Sequence, residues 1–292
     1  MATIEKAGLP SIVALQAADA AALCPLSLEA GWNQVAEDWR LMLTLGEGFG
    51  ARARDGRWIG SALTLPLGPR LAWISMVLVT KPARGQGLGS ALLSASLAAA
   101  EASGRVPGLD ATEFGRPIYL PLGFRDVFGL ARWQLDAPLQ NVIAPPPGIR
   151  VRAANDDDLA AILVYDPPRS GFCRPAILAD LLSRSAHFAH VAHAADGALA
   201  GFLLGRDGHR HWHIGPIVAD AEATALALLS GAAAQLGRPL IVDVPEQHGR
   251  MRDWLLAQGA TAPRRFSRML RGMTGKSNAP DAVFALVGPE LG

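Results

Sequence analysis

The sequence predicts a mixed α/β fold of the α+β type, built from two consecutive units that each contain a twisted mixed β-sheet flanked by helices. Three observations predict this fold. Apolar runs of strand length alternate with helix-forming runs along the chain. The order of these runs in residues 1–136 recurs in residues 149–292. Between them, residues 137–148 are rich in proline, which is typical of a semi-rigid, extended linker. We therefore expect two domains and a linker with these boundaries.

Each unit opens with a short strand, a helix-capping acid or amide, and a pair of helices. A hairpin follows in each unit, because Asp55-Gly56 and Asp196-Gly197 separate strand-like runs and the Asp-Gly pair favours a tight hairpin turn. The matching segments are residues 12–15 with 149–152, and residues 49–65 with 188–204.

The remaining elements also match in pairs. An apolar strand of the kind buried on both faces leads to a long helix, a further strand and a short helix that ends at a glycine. A final strand then completes each unit. In chain order, the matching pairs are residues 72–79 and 212–218, 88–103 and 222–236, 106–112 and 240–245, 115–122 and 248–258, and 125–135 and 264–271. The repetition predicts that each unit closes its sheet with its own last strand.

A glycine-rich turn joins the buried strand of the first unit to its long helix. With no side chains at Gly85, Gly87 and Gly89, backbone N–H groups can approach a phosphate closely, and the helix N-terminus adds unpaired donors and a favourable dipole. Arg84 adds a forked cationic donor that keeps its proton. The turn therefore predicts an anion site.

Two common nucleotide motifs do not fit the chain. The dinucleotide fingerprint needs its third glycine one residue later than Gly89. A P-loop ending in Gly275-Lys276-Ser277 would need a glycine at position 270, where Leu270 stands. An NAD-binding oxidoreductase is disfavoured further, because no acidic residue follows the turn in the register that binds the ribose.

The same turn matches a different signature. Arg84, Gly87 and Gly89 occupy the fixed positions of the pattern Arg/Gln-x-x-Gly-x-Gly/Ala, and the order continues with Asp-Ala-Thr at residues 110–112 and Tyr-Leu-Pro-Leu-Gly-Phe at residues 119–124. These segments resemble the phosphate turn, the end of the fifth strand and the Tyr-x-x-x-Gly-Phe segment of the GNAT superfamily of acyl-CoA-dependent N-acyltransferases. The resemblance implies two tandem GNAT folds.

The resemblance also implies a co-substrate site for acetyl-CoA or another acyl-CoA. Backbone groups of the fourth strand would pair with the pantetheine arm like an added strand, and the turn would hold the pyrophosphate. The residues implied are Met76, Val77, Leu78 and Val79 on the strand, and Arg84, Gly85, Gln86, Gly87, Leu88, Gly89 and Ser90 at the turn and helix start.

In this family the acceptor amine attacks the acyl thioester directly in a ternary complex. The resemblance places Tyr119 where a tyrosine commonly donates a proton to the leaving sulfur, so we assign it as general acid. Asp110 and Glu113 are the nearest acids by topology, and either could be the general base, directly or through water. The alternatives are a tyrosine that only packs in the core and an aspartate that caps a helix.

The acceptor pocket is expected near the first helix pair. Trp32, Asn33 and Asp38 lie where family members build this pocket, and a tryptophan with polar neighbours suits an amphipathic amine. The acceptor is expected to be a small-molecule or peptide amine. The sequence does not identify it, nor the length of the acyl chain.

The second unit lacks the phosphate turn. Residues 219–224 contain neither arginine nor glycine, and Asp220 and Glu222 would repel a pyrophosphate there. We predict that this unit has lost the co-substrate and shapes the acceptor site, forms an interface or is purely structural.

Histidines and cysteines give weaker signals. The alternation of His209, His211 and His213 would place three imidazoles on one face of a strand, but a preceding Asp-Gly and the lack of a nearby cysteine favour surface or hairpin positions. We therefore predict no metal. Cys24 and Cys173 have no partner at metal-binding or redox-motif spacing and are expected to be small buried residues.

Composition limits the partners. The chain of 292 residues has 27 basic and 26 acidic residues and a net charge of +1, which argues against a general nucleic-acid or anionic-membrane binder. A local concentration of arginines at residues 250–271 leaves an anionic acceptor site between the units open. We expect a cytoplasmic N-acyltransferase, with a homodimer left open. The alternative function is a non-catalytic acyl-CoA sensor or interaction module.

Overall fold

The structure is a computed structural model that describes residues 9–137, 142–236, 239–272 and 280–292. Residues 138–141 of the predicted linker and the Gly275-Lys276-Ser277 segment lie outside the described residues. Within the described ranges the chain forms thirteen strands and eight α-helices. The strands are β1 (Ile12–Leu15), β2 (Glu47–Arg52), β3 (Trp58–Pro66), β4 (Leu71–Val79), β5 (Val106–Thr112), β6 (Phe124–Leu135), β7 (Arg150–Ala153), β8 (His190–His193), β9 (Leu199–Arg206), β10 (Trp212–Ala219), β11 (Leu240–Pro245), β12 (Thr261–Arg271) and β13 (Val283–Ala285). The helices are α1 (Ala20–Glu29), α2 (Ala36–Leu45), α3 (Leu88–Ala102), α4 (Arg116–Tyr119), α5 (Leu159–Ser170), α6 (Pro175–Arg184), α7 (Glu222–Gln235) and α8 (Gly249–Ala257).

The duplicated order of elements is confirmed. The sequence of strands and helices from β1 to β6 recurs from β7 to β12 among the described residues. Gly56 and Gly197 occupy the two predicted hairpin turns with φ angles of +83° and +86°, in the left-handed region that glycine tolerates without a steric penalty. The sheet is mixed, since β4 pairs with β5 and β10 with β11 in parallel while the other ladders are antiparallel. The predicted mixed α/β class is therefore correct.

The final strand of each half differs from the prediction. β12 lies between β5 and β6 and is antiparallel to both, while β6 pairs on its other edge with β11. The expectation that each unit closes its own sheet with its last strand is therefore wrong. β6 and β12 share a ladder that runs from Thr261 opposite Gln134 to Arg271 opposite Phe124, so these long strands pair mainly with each other. As a result, the described strands form one continuous sheet.

The apolar core also contains residues of both halves. One cluster contains Trp39 and Trp73 from the first half together with Ile177 and Phe202 from the second, all with at most 2% of their surface exposed. Burial of side chains this large is the main favourable contribution to folding. The two halves are consequently joined by a shared sheet and a shared core.

The two cysteines differ in exposure. Cys24 is half-buried, but Cys173 is exposed, so the expected burial of the cysteines is wrong for Cys173. Cys173 lies in the connection between α5 and α6, and such connections normally run over the protein surface. No helix in the described residues has the length and apolar character needed to cross a membrane.

Candidate active site

The strands β4 and β5 separate halfway along their length. They pair only where Leu71–Trp73 face Val106–Gly108. Beyond this point β4 contains a bulge: its ladder with β3 shifts register, and Met76 has a φ of +50°, which is unusual for a residue other than glycine. The Ser61 hydroxyl donates a hydrogen bond of 2.7 Å to the Met76 carbonyl and holds the bulge. The bulge thus lies where the sheet opens.

A cavity of about 1030 Å³ lies at this opening. It is lined by all of the predicted co-substrate residues except one: Met76, Val77, Leu78, Val79, Arg84, Gly85, Gly87, Leu88, Gly89 and Ser90. Gln86 is absent from the lining, and its side-chain amide donates to the carbonyl of Pro82 at 3.2 Å.

The glycine-rich turn leaves space for a ligand. Gly85 and Gly87 have φ angles of +74° and +87°, and a Cβ atom built on either would meet no atom within 4 Å. Gly87 is the N-cap of α3, and the first turn of a helix exposes backbone N–H groups that have no intrahelical partner. Arg84 stays beside the turn because its Nε donates to the Val79 carbonyl at 2.9 Å.

Tyr119 also lines the cavity, at the end of α4. Its ring packs edge-on against Phe124, with centroids 5.8 Å apart. Burial raises the pKa of the Tyr119 phenol, so the hydroxyl keeps its proton at neutral pH. Its hydroxyl makes no hydrogen bond within the described residues, which leaves its proton available to a ligand.

Asp110 and Glu113 line the same cavity but differ in environment. Both Asp110 carboxylate oxygens accept hydrogen bonds from Arg268, at 2.9 and 2.8 Å, and the Asp110 side chain is fully buried. Burial raises the pKa of Asp110, and the charge of Arg268 opposes this rise. Asp110 lies inside β5 and therefore does not cap a helix. Glu113 is exposed at the cavity wall.

Of the three residues predicted for the acceptor pocket, Trp32 lines the cavity, whereas Asn33 and Asp38 do not. The Asn33 side chain accepts from the backbone N–H groups of Arg210 and His211, at 3.0 and 3.1 Å. The assignment of Asn33 to the acceptor pocket is corrected because its amide is committed to the connection between β9 and β10.

The assignment of Asp38 to the acceptor pocket is corrected for a similar reason. Its side chain is 1% exposed, and its Oδ1 lies 2.8 Å from Arg184 Nη1 and 3.2 Å from Arg206 Nε. Its Oδ2 accepts from the Val35 N–H at the start of α2, at 3.0 Å. Both arginines belong to the second half, so Asp38 joins the halves instead of facing the acceptor.

Three polar residues that the sequence did not predict also line the cavity. Arg132, Arg264 and Glu290 line it, although each lies far in sequence from the glycine-rich turn. The insertion of β12 beside β5 brings Arg264 to the cavity, and Arg132 lies directly opposite Arg264 on β6. The only sequence signal was the concentration of arginines that includes Arg264.

A buried network of charges underlies this end of the cavity. Arg132 donates two hydrogen bonds of 2.8 Å to Asp243, whose Oδ2 also lies 2.9 Å from His213 Nε2. His213 Nδ1 is 3.0 Å from Arg206 Nη2, and Arg206 also pairs with Glu290. A neutral imidazole with its proton on Nε2 satisfies both of these contacts.

The expectation of a surface or hairpin position is wrong for His213. It is 1% exposed, and burial, with the nearby Arg206, lowers its pKa from 6.5 to about 4. The surrounding donors hold the pKa of Asp243 below its usual range. Among the described residues there is no group of three or more His, Cys, Asp or Glu placed to hold a metal ion.

The matching turn of the second half is occupied by ion pairs and hydrogen bonds. Asp220 accepts from Arg169 Nε at 2.7 Å, and the Glu222 carboxylate accepts from the Met251 N–H at 2.8 Å. The acidic side chains at the start of α7 are thus engaged by protein donors.

An opened sheet beside a glycine-rich helix start, set in a duplicated framework, is the architecture of a tandem acyltransferase fold. Residues 19–116 match the acetyltransferase (GNAT) family, and residues 162–285 match a second acetyltransferase (GNAT) domain. The chain therefore belongs to the GNAT family and carries two GNAT domains in tandem.

Similar proteins agree with this assignment. The uncharacterized N-acetyltransferase YitH of Bacillus subtilis (strain 168) is 26% identical over 242 residues, which cover 79% of this chain and 80% of YitH. Holothin acyltransferase of Pseudoalteromonas sp. (strain SANK 73390) is 26% identical over 246 residues, covering 76% and 78%. The crystal structure of a proposed acetyltransferase from Pyrococcus horikoshii shares the fold, with a TM-score of 0.77, 18% identity and coverage of 99% and 98%.

Proposed function

We propose that the protein is an N-acyltransferase that transfers an acetyl or longer acyl group from acyl-CoA to an amine. The observation that carries this proposal is the cavity at the separation of β4 and β5, with the glycine-rich turn on its wall. Open space at Gly85 and Gly87 and the first-turn N–H groups of α3 suit a pyrophosphate. The free edge of β4 suits an extended, amide-containing chain.

Acetyl-CoA supplies an acyl thioester, so that a C–N bond forms and a C–S bond breaks when an amine attacks. The amine must lose a proton and the sulfur must gain one. Tyr119 suits the second role, because its raised pKa keeps the phenol protonated until charge develops on the sulfur. We propose Tyr119 as the general acid.

One carboxylate at the cavity is better suited than the others to take the proton from the amine. Three carboxylates line the cavity, and Asp110 and Glu290 are held by Arg268 and Arg206. Glu113 has no ion pair within the described part of the chain and is exposed to solvent. We therefore propose Glu113 as the general base, directly or through water, and Asp110 as a residue that holds the end of β5.

The acceptor is proposed to be a small-molecule or peptide amine bound beside Trp32. The name of one relative gives holothin as that enzyme's acceptor, which supports a small molecule here as well. The test incubates the purified full chain with acetyl-CoA and a library of amines, follows release of free thiol, and detects the acylated product by mass spectrometry.

Amine-dependent thiol release with a matching product mass supports the proposal. A reaction without amine measures hydrolysis and serves as the background. Tight binding of acetyl-CoA with no acylation of any amine would instead favour the alternative, a non-catalytic acyl-CoA sensor. Absence of both binding and transfer would remove the acyl-CoA site altogether.

A further inference from the structure

The Arg264 side chain lies at the acceptor end of the cavity. This end is formed by Trp32, Gln34 and the neighbouring connection between α1 and α2. A methyl group added at Gly31, within that connection, would lie 3.9 Å from Arg264 Nη2. The glycine-rich turn that suits the pyrophosphate is a separate part of the wall, at the start of α3.

Arg264 carries a positive charge that no neighbouring carboxylate pairs with directly among the described residues. No carboxylate lies within ion-pair distance of its guanidinium among the residues that the structure describes. Its direct cross-strand neighbour is Arg132, and like charges opposite each other in a sheet repel. Burial and the charge of Arg132 lower the pKa of Arg264, yet a guanidinium remains protonated.

The other buried charges at this end have partners. Arg132 pairs with Asp243 through two hydrogen bonds, and Arg206 pairs with both Glu290 and Asp38. Arg264, in contrast, has no ion pair within the described ranges. Its unpaired guanidinium suits a monoanion, whereas a dianion such as a phosphate monoester would be repelled by the nearby Glu290 carboxylate.

Gln34 gives a second, independent indication of a polar ligand. It lines the cavity, is 4% exposed, and its Oε1 has no hydrogen-bond donor within the described ranges. Buried amide oxygens are normally satisfied, so this end lacks a donor that a bound molecule or water would supply.

We propose that Arg264 binds a carboxylate of the acceptor, so that the amine acylated by this protein belongs to an amino acid or a related amino-carboxylate. This inference rests on the proposed N-acyl transfer. The planar guanidinium matches a carboxylate through two parallel hydrogen bonds, which would fix the acceptor in one orientation. The C-terminal half thereby contributes acceptor specificity through β12.

The test compares amines that differ only in the carboxylate. Acetyl transfer is measured to each of the common amino acids and to its carboxamide, with wild-type protein, Arg264→Gln, Arg264→Lys and Arg252→Gln. Arg252 is the matched control, because it is 51% exposed, pairs with Asp253 and does not line the cavity.

We expect at least one amino acid to be preferred over its carboxamide by the wild type. Arg264→Gln should lower kcat/KM for that amino acid by about tenfold or more, as for loss of a charged hydrogen bond, and change the carboxamide reaction by less than about threefold. Arg264→Lys should give an intermediate loss, since it keeps the charge but not the fork. Arg252→Gln should match the wild type.

Three results would overturn the inference. One is an equal loss for acids and carboxamides, and another is a wild-type preference for carboxamides. The third is a rise in KM for acetyl-CoA in Arg264→Gln with acceptor selectivity unchanged, which would assign Arg264 to the phosphates of the co-substrate. If no amine is acylated, the proposed function fails separately. Binding of the amino acids to the acetyl-CoA-loaded protein, measured by thermal shift, then decides: carboxylate-dependent binding lost in Arg264→Gln supports the inference, and its absence contradicts it.

Discussion

Arg268 of β12 holds Asp110 of β5 through two hydrogen bonds, of 2.9 Å from Nε and 2.8 Å from Nη2. Both side chains are at most 5% exposed, and the guanidinium also lies over the Trp73 ring at 4.6 Å. A residue of β12, from the C-terminal half, therefore fixes the part of the cavity wall that β5 of the N-terminal half contributes. This ion pair attaches β12 to the cavity wall formed by β5.

Removing one partner of this ion pair should lower the stability of the protein. Arg268→Leu leaves the Asp110 carboxylate buried without its partner and is expected to lower the free energy of unfolding by about 3–5 kcal/mol. Urea denaturation measures this. The control is Arg265→Leu, since Arg265 and Glu246 are 61% and 49% exposed and such a pair contributes at most about 1 kcal/mol. Equal effects of the two changes would show that the buried ion pair contributes no more to stability than the exposed one.

Gly87→Val should abolish acetyl-CoA binding. The substitution strains a backbone with φ of +87° and puts a side chain into open space at the proposed pyrophosphate position. Isothermal titration calorimetry measures the affinity. Gly104→Val is the matched control, because Gly104 has φ of +68°, is equally unobstructed and does not line the cavity. Normal affinity in Gly87→Val, or equal loss in both variants, would contradict the proposed phosphate site.

Calorimetry of the wild type should show one acetyl-CoA per chain. The start of α7 carries Asp220 and Glu222, which accept from Arg169 and Met251, in place of the glycine-rich turn. Acidic groups at this position repel a pyrophosphate. Two equivalent sites per chain would show that the second domain has kept its co-substrate.

Tyr119→Phe should lower kcat by about 100- to 10,000-fold while the KM for acetyl-CoA changes little, because the hydroxyl acts mainly as the sulfur gains charge. Steady-state kinetics and the melting temperature are measured together. Tyr165→Phe, which removes a buried hydroxyl outside the cavity, is the control for loss of a phenol. Wild-type turnover in a well-folded Tyr119→Phe protein would leave water as the proton donor.

His213 should make the protein less stable as the pH falls below neutrality. Its pKa is 6.5 when unfolded and about 4 when folded, so the unfolded chain takes up the proton first. The contribution of His213 is therefore intact above pH 6.5 and is lost progressively between pH 6.5 and 4, by up to about 3 kcal/mol.

His213→Gln tests this relation, because it removes the titrating group and leaves the other buried histidines in place. The free energy of unfolding of wild type and variant is measured at pH 7 and pH 4.5. The wild type should lose about 2–3 kcal/mol more than the variant over this interval. Parallel losses would show that His213 does not titrate differently on folding.

Much of the framework was predictable because its signals are local. The two Asp-Gly turns, the glycines of the turn before α3 and the periodicity of the strands are each encoded in a few adjacent residues. The same holds for the duplication, since comparing two stretches of sequence requires no knowledge of contacts. The resemblance to the GNAT family pointed to Tyr119 and Trp32, and the predicted topology pointed to Glu113; all three line the cavity.

By itself, the sequence determined the mixed α/β class, the repeated order of elements and the glycine-rich turn. Only the tertiary structure decided that β12 inserts between β5 and β6, because a strand presents two edges and its pairing partner depends on which distant edges meet. That choice brought Arg264 to the cavity, opposite Arg132, and paired Asp110 with Arg268. The tertiary structure also decided the contacts of Asn33 and Asp38, because donors of α6, β9 and the connection between β9 and β10 satisfy their polar groups outside the cavity.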